Sequence, residues 1–274
     1  NKYNNNILNQ KKGCSLLKQR IFTALILAPA VIGAIFYLPL AYFAAFMLAV
    51  LTIGAWEWGP LMGFADTSRR LAFVAASMLM MGGLWYLFPP LQLWSEKALL
   101  QGNVIAILWL AVVWWAISAI MTMMYPKYSK FWSSHRSVRG LFGWLTLVPT
   151  WLAFMVLRSS EYQWNVFQGA HLIMFLFLMV WGADIGAYFV GKAFGKHKLM
   201  PNVSPGKTIE GYLGGVAFSA ILVSIAGYVI GWQVDQYALF LTISFVITTV
   251  SVLGDLNESM FKRQAGIKDS GSIL

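Results

Sequence analysis

The chain has 274 residues, 59% of them hydrophobic and 16% aromatic, and only 11% are charged. Soluble domains carry charge on about a quarter of their residues, so an ordinary soluble fold is excluded and a polytopic, all-α integral membrane protein is expected. The net charge of +10, from 20 Lys and Arg against 10 Asp and Glu, fits loops that face anionic lipid headgroups, and no nucleic-acid partner is needed to account for it.

The first 20 residues begin NKYNNNILNQ, a polar stretch that reads as a disordered tail. The single cysteine there, Cys14, excludes an intramolecular disulfide and offers no metal-ligand spacing. Eight nearly charge-free runs follow, at 21–40, 41–56, 71–88, 104–125, 141–157, 170–190, 212–232 and 237–253. Such runs can cross roughly 30 Å of hydrocarbon as helices. The first two meet at Leu38-Pro39-Leu40, a tight connection, and the first run is too closely followed by the second to be a cleaved signal peptide. Threaded from a cytoplasmic N-terminus, the chain places every Lys and Arg except Lys97 and Arg158 on one side. The positive-inside rule expects that asymmetry, and it leaves Leu274 cytoplasmic as well. The expected organisation is a tail (1–20), a first group of membrane helices (21–168) and a C-terminal membrane region (169–274) that holds the polar motifs.

Among the ten carboxylates, Glu57, Asp66, Glu96, Glu161 and Asp235 fall in expected loops or at helix ends, where solvation is the default. Asp184 differs because it lies inside the sixth run, in VWGADIGAYFVGK. A membrane-embedded Asp costs about 2.5 to 3.5 kcal/mol on insertion scales, so it is expected to face a polar interior or to join two helices. Gly182, Gly186 and Gly191 nearby leave room for close helix packing or a ligand.

The stretch MPNVSPGKTIEGYLGG opens the seventh helix. Ser204-Pro205-Gly206 reads as a turn, and Thr208 and Glu210 as acceptors at a helix start. A phosphate-binding P-loop is excluded, since Pro201 stands where that motif needs Gly and no strand is expected before it. What survives is a basic loop with Lys192, Lys196, Lys198 and Lys207 leading into a helix N-terminus. That arrangement suits phosphate oxygens or a plain positive-inside loop alike. If the eighth helix runs on, Asp255, Ser259 and Lys262 share one stripe, with Glu258 and Arg263 beside it. The stripe could hold Mg²⁺ and phosphate, or simply pair charges at a helix end.

The segment GDLNESMFKRQAGIKDSGSIL resembles the first part of the signature of phosphatidate cytidylyltransferases of the bacterial type, also called CDP-diacylglycerol synthases. Ser259, Phe261, Lys262, Arg263, Lys268, Asp269 and Gly271 stand at its fixed positions. Upstream, WGADIGAYFVGKAFGKHKLMPNVSPGKTIEG is similar to that family's other block, D-x-x-A-Y-x-x-G followed by S-P-x-K-T-x-E-G. The resemblance implies transfer from CTP to phosphatidate, giving CDP-diacylglycerol and diphosphate, by a homodimeric enzyme of the cell's inner membrane with its site on the cytoplasmic side. It further implies that Asp255 binds Mg²⁺, and that Ser259 and Lys262 hold phosphate or the metal's surroundings. Arg263, Lys268 and Asp269 would shape the nucleotide pocket. Ser204, Lys207 and Thr208 would meet substrate at the start of the seventh helix, while Asp184, Tyr188 and Glu210 would organise a polar cavity with the option of a second cation. In the family the pattern goes on to P-G-H-G-G, D-R-x-D and one more membrane helix, whereas this sequence stops at Leu274. Part of the implied site is therefore expected beyond it, and a molecule truly ending there is expected to be inactive.

Two alternatives compete. An ion- or proton-coupled transporter would suit Asp184 and the glycine-rich helices, but it calls for charges at the bilayer midplane and symmetry between halves. A CDP-alcohol phosphotransferase would need a D-G-x-x-A-R pattern, which the sequence lacks.

Overall fold

The computed structural model describes residues 27–94 and 99–267. Within them, apolar runs become helices because a backbone in hydrocarbon must satisfy its own hydrogen bonds. These are α1 (Leu27–Tyr37), α2 (Leu40–Leu61), α3 (Thr67–Leu87), α4 (Gly102–Met124), the short α5 (Ser129–Ser133), α6 (Arg136–Ser159), α7 (Gln168–Phe194), α8 (Ile209–Ile230) and α9 (Val234–Gln264). Seven of the described helices, α2 to α4 and α6 to α9, are long and apolar enough to cross a membrane. The first expected span is described only from Leu27, as an apolar helix to Tyr37.

Helix α6 is the centre of the N-terminal half. Its Trp151, Leu152 and Met155 are fully buried against Phe43, Ala44 and Met47 of α2, and the Trp151 indole donates to the Ala44 carbonyl at 3.1 Å. Arg158, expected in a loop, is instead fully buried near the end of α6. Its guanidinium donates to the carbonyls of Ile35 (2.9 Å), Val166 (2.9 Å) and Leu38 (3.3 Å). It thereby ties the α1–α2 connection to the α6–α7 connection, where chain ends leave carbonyls unpaired. Glu57 also departs from expectation: α2 runs on to Leu61, so this carboxylate is buried within a helix.

Close contact between α7 and α8 is the tightest feature of the C-terminal half. A Cβ on Gly186 would stand 2.6 Å from the Gly214 carbonyl oxygen, and one on Gly215 would stand 2.7 Å from the Ala183 carbonyl oxygen. Without a hydrophobic drive between helices in lipid, this small-residue interface lets the backbones gain van der Waals contact.

One element corrects the sequence reading and another bears out its conditional expectation. Residues Ser204–Thr208 form strand β2 rather than a turn, paired antiparallel with β1 (Lys198–Met200), with the reversal at 201–203. Pro205 and Gly206 suggest a turn locally, but the hairpin is braced on both sides. The Ile209 amide donates to the His197 carbonyl at 2.9 Å, and Arg263 Nε donates to that of Val203 at 3.4 Å. Helix α9 has 31 residues, about 46 Å at 1.5 Å per residue. That exceeds a roughly 30 Å hydrocarbon layer, and its charged last turns carry Arg263, which bonds the hairpin.

Candidate active site

A cleft of about 390 Å³ opens where α7, the hairpin, α8 and α9 meet. Helix α7 contributes Asp184, Tyr188 and Lys192, β2 contributes Lys207 and Thr208, α8 contributes Tyr212, and α9 contributes Asp255. Spacing places the α7 group together, since 184, 188 and 192 succeed one another at i+4. Lys192 Nζ lies 3.5 Å from the Tyr188 hydroxyl.

Lys207 Nζ donates to Asp255 Oδ2 at 2.6 Å, across 48 residues of sequence. The pair lies in the cleft with Asp184 and Lys192 of α7, so two cations and two carboxylates line it. Thr208 caps α8, its hydroxyl accepting from the Gly211 amide at 3.1 Å, as expected of a helix-start acceptor. Thr208 and Gly211 place the start of α8 in the wall of the cleft. Tyr212 is fixed by a 2.9 Å hydrogen bond between its hydroxyl and that of Thr249 on α9.

Of the residues singled out from sequence, Asp184, Tyr188, Lys207, Thr208 and Asp255 thus come together. Glu210 does not line the cleft. Its carboxylate accepts from the amides of Lys196 (3.1 Å) and His197 (3.2 Å) and meets His197 Nδ1 at 2.6 Å, so it fastens the segment leading into the hairpin. Ser204 begins β2 opposite Met200 and is likewise outside the lining residues. Further along α9, Lys262 pairs with Glu258 at 2.7 Å and Arg263 binds the hairpin; neither they nor Ser259 line the cleft. Lys268 and Asp269 lie outside the described residues.

Sequence reasoning missed Tyr212, and also Asn257, which is 5% exposed on the face of α9 away from the cleft. Asn257 Nδ2 donates to the hydroxyls of Ser118 and Thr122 on α4. The available signal was an amide side chain two residues after Asp255, about 200° around the helix.

Fold and site together define a multi-pass membrane protein with a cleft lined by two carboxylates and two lysines, a charge set suited to anionic groups. The chain belongs to the cytidylyltransferase family, whose model matches residues 18–274. It is 42% identical over 259 residues to a phosphatidate cytidylyltransferase of Pseudomonas aeruginosa, covering 94% of this chain and 88% of that one. A protein of the same name from Haemophilus influenzae is 36% identical over 266 residues, covering 94% and 90%. One from Staphylococcus haemolyticus is 34% identical over 218 residues, covering 72% and 83%. A transporter finds no support in these matches.

Proposed function

We propose that the protein is a phosphatidate cytidylyltransferase, converting CTP and phosphatidate to CDP-diacylglycerol and diphosphate. Beyond the family match, the observation that carries this reading is the Lys207–Asp255 pair, set in one cleft with Asp184. The two sequence blocks, far apart in the chain, meet there.

In the reaction an oxygen of the lipid phosphate attacks the α-phosphorus of CTP. A new P–O bond forms as the bond to the bridging oxygen breaks, and diphosphate leaves with its electron pair. Both reactants are anions, a phosphomonoester carrying about −1.5 to −2 near neutral pH, so charge must be offset where they meet. Lys207 and Lys192 supply positive charge, and the start of α8 adds the positive end of its helix dipole. Tyr188 and Tyr212 bound the cleft and orient what enters. The chemistry needs positioning and charge stabilisation rather than a covalent enzyme intermediate.

The donor set also fits a magnesium ion. Among the described residues no group of three or more His, Cys, Asp or Glu could hold a metal, but Mg²⁺ characteristically takes one or two carboxylates and fills its remaining positions with water and substrate phosphates. Asp255 and Asp184 would hold it, and it would supply neutralisation of phosphate charge at the reacting centre. Ser259, Lys262, Arg263, Lys268, Asp269, Ser204 and Glu210 then support the nucleotide side or its scaffold.

The cleft belongs on the cytoplasmic side of the inner membrane, where CTP is available. Supporting this, Lys192, Lys207 and Lys262 share the side rich in basic residues. Arg158, one of two exceptions to the charge asymmetry, is buried and is no loop charge.

Replacing Asp255 by Asn in the product of the complete gene is expected to lower CTP- and phosphatidate-dependent diphosphate release by about 10²-fold or more, the scale of losing one preorganised electrostatic group. A rate equal to the unsubstituted protein's would remove Asp255 from the site.

A further inference from the structure

Helix α9 meets α4 through a buried polar cluster that the reaction does not use directly. Ser118 and Thr122 of α4 are completely buried and Asn257 is 5% exposed. Asn257 Nδ2 donates to Ser118 Oγ, to Thr122 Oγ1 (3.2 Å) and, at 3.4 Å, to the Ser118 carbonyl, while Thr122 Oγ1 donates to that same carbonyl at 2.9 Å. Around this cluster the contact is apolar: Leu256, Met260 and Phe261 pack with Trp114, Trp58 and Phe142. Apolar contact of this kind sets rotation and depth weakly, because neighbouring registers bury similar surface. A single buried amide with directed partners fixes register, the best-attested use of such groups.

Asp255 lies two residues before Asn257, on the opposite face of the helix. We propose that Asn257, held by Ser118 and Thr122, is a positioning residue: it locks the rotation of α9 so that the Asp255 carboxylate faces the cleft, against Lys207 and ready for a divalent cation. This rests on the function proposed above. A comparable bond elsewhere on the same helix serves as the contrast. Ser244 is bonded to Ser219 of α8 at 2.9 Å, also buried, but lies eleven residues, about 16 Å along the axis, from Asp255.

The test is Mn²⁺ binding followed by electron paramagnetic resonance, with a non-hydrolysable CTP analogue present, on the complete gene product in detergent, alongside turnover and melting temperature. Asn257→Leu, and independently Ser118→Ala with Thr122→Val on the other helix, are expected to weaken Mn²⁺ binding by about 10- to 100-fold, the range for outer groups that orient a ligand. Ser244→Ala is expected to lower the melting temperature with Mn²⁺ affinity unchanged. Should Asn257→Leu fail to fold, the α4 variant carries the test. Wild-type Mn²⁺ affinity in the α4 variant, or an equal loss in Ser244→Ala, overturns the positioning role. Turnover by the unsubstituted protein without Mn²⁺ binding overturns it while leaving the reaction standing, and absence of both overturns the two together.

Discussion

Lys207 and Arg158 show how differently two basic side chains are used. Lys207 lines the cleft, bound to Asp255 at 2.6 Å, and on the function proposed above it exchanges that partner for phosphate. Lys207→Ala is expected to raise KM for CTP or phosphatidate, or to lower kcat, together amounting to about 10- to 100-fold in kcat/KM, as for loss of 1.4 to 2.7 kcal/mol of transition-state stabilisation; unchanged kinetics would take it out of the site. Arg158 is buried and bonded to three carbonyls. Arg158→Met would strand three carbonyls, each worth roughly 1 to 3 kcal/mol when left unpaired. A melting temperature lowered by several degrees is expected, with KM of the surviving folded enzyme unchanged; an unaltered melting temperature would contradict the bracing role. At this scale Asp184 and Asp255 were legible, because a carboxylate in or just beyond an apolar run is conspicuous. Arg158 and Glu57 were not: each sits near the edge of a run, where a charge looks like a loop residue until long-range packing buries it.

Among the elements, the α7–α8 pair sets the floor of the cleft. Its glycines are functional through what they omit: a Cβ on Gly186 would meet Phe218 Cβ at 2.5 Å and the Gly214 carbonyl at 2.6 Å. Gly186→Ala is therefore expected to force the helices apart and to lower both melting temperature and turnover, whereas Gly82→Ala on α3, with nothing within 4 Å, should leave turnover unchanged and the melting temperature unchanged or raised. Equal behaviour of the two variants would contradict the packing account. The helices themselves were legible from hydrophobic runs, as was the extension of α9 as a polar-faced continuation. The hairpin was not, since Ser204-Pro205-Gly206 has turn chemistry and only pairing with 198–200 and anchoring by Arg263 make it a strand. Likewise Lys207 and Asp255 were each visible, but their meeting depends on how β2 and α9 pack, which local pattern does not encode.

On the scale of the whole molecule, apolar helices carry a cleft in which charged side chains of α7, β2 and α9 meet. On the function proposed above, a lipid headgroup and a water-soluble nucleotide meet there. The fold class followed from composition and the family from two motif blocks, while the shape of the cleft needed the packing of four separate elements. The most direct measurement supplies purified protein from the complete gene with phosphatidate vesicles, labelled CTP and Mg²⁺. CDP-diacylglycerol and diphosphate should form in equal amounts, and both should stop when Mg²⁺ is chelated or phosphatidate is omitted. No CDP-diacylglycerol with both substrates present would contradict the proposed reaction, and undiminished formation in chelator would contradict the metal's part in it.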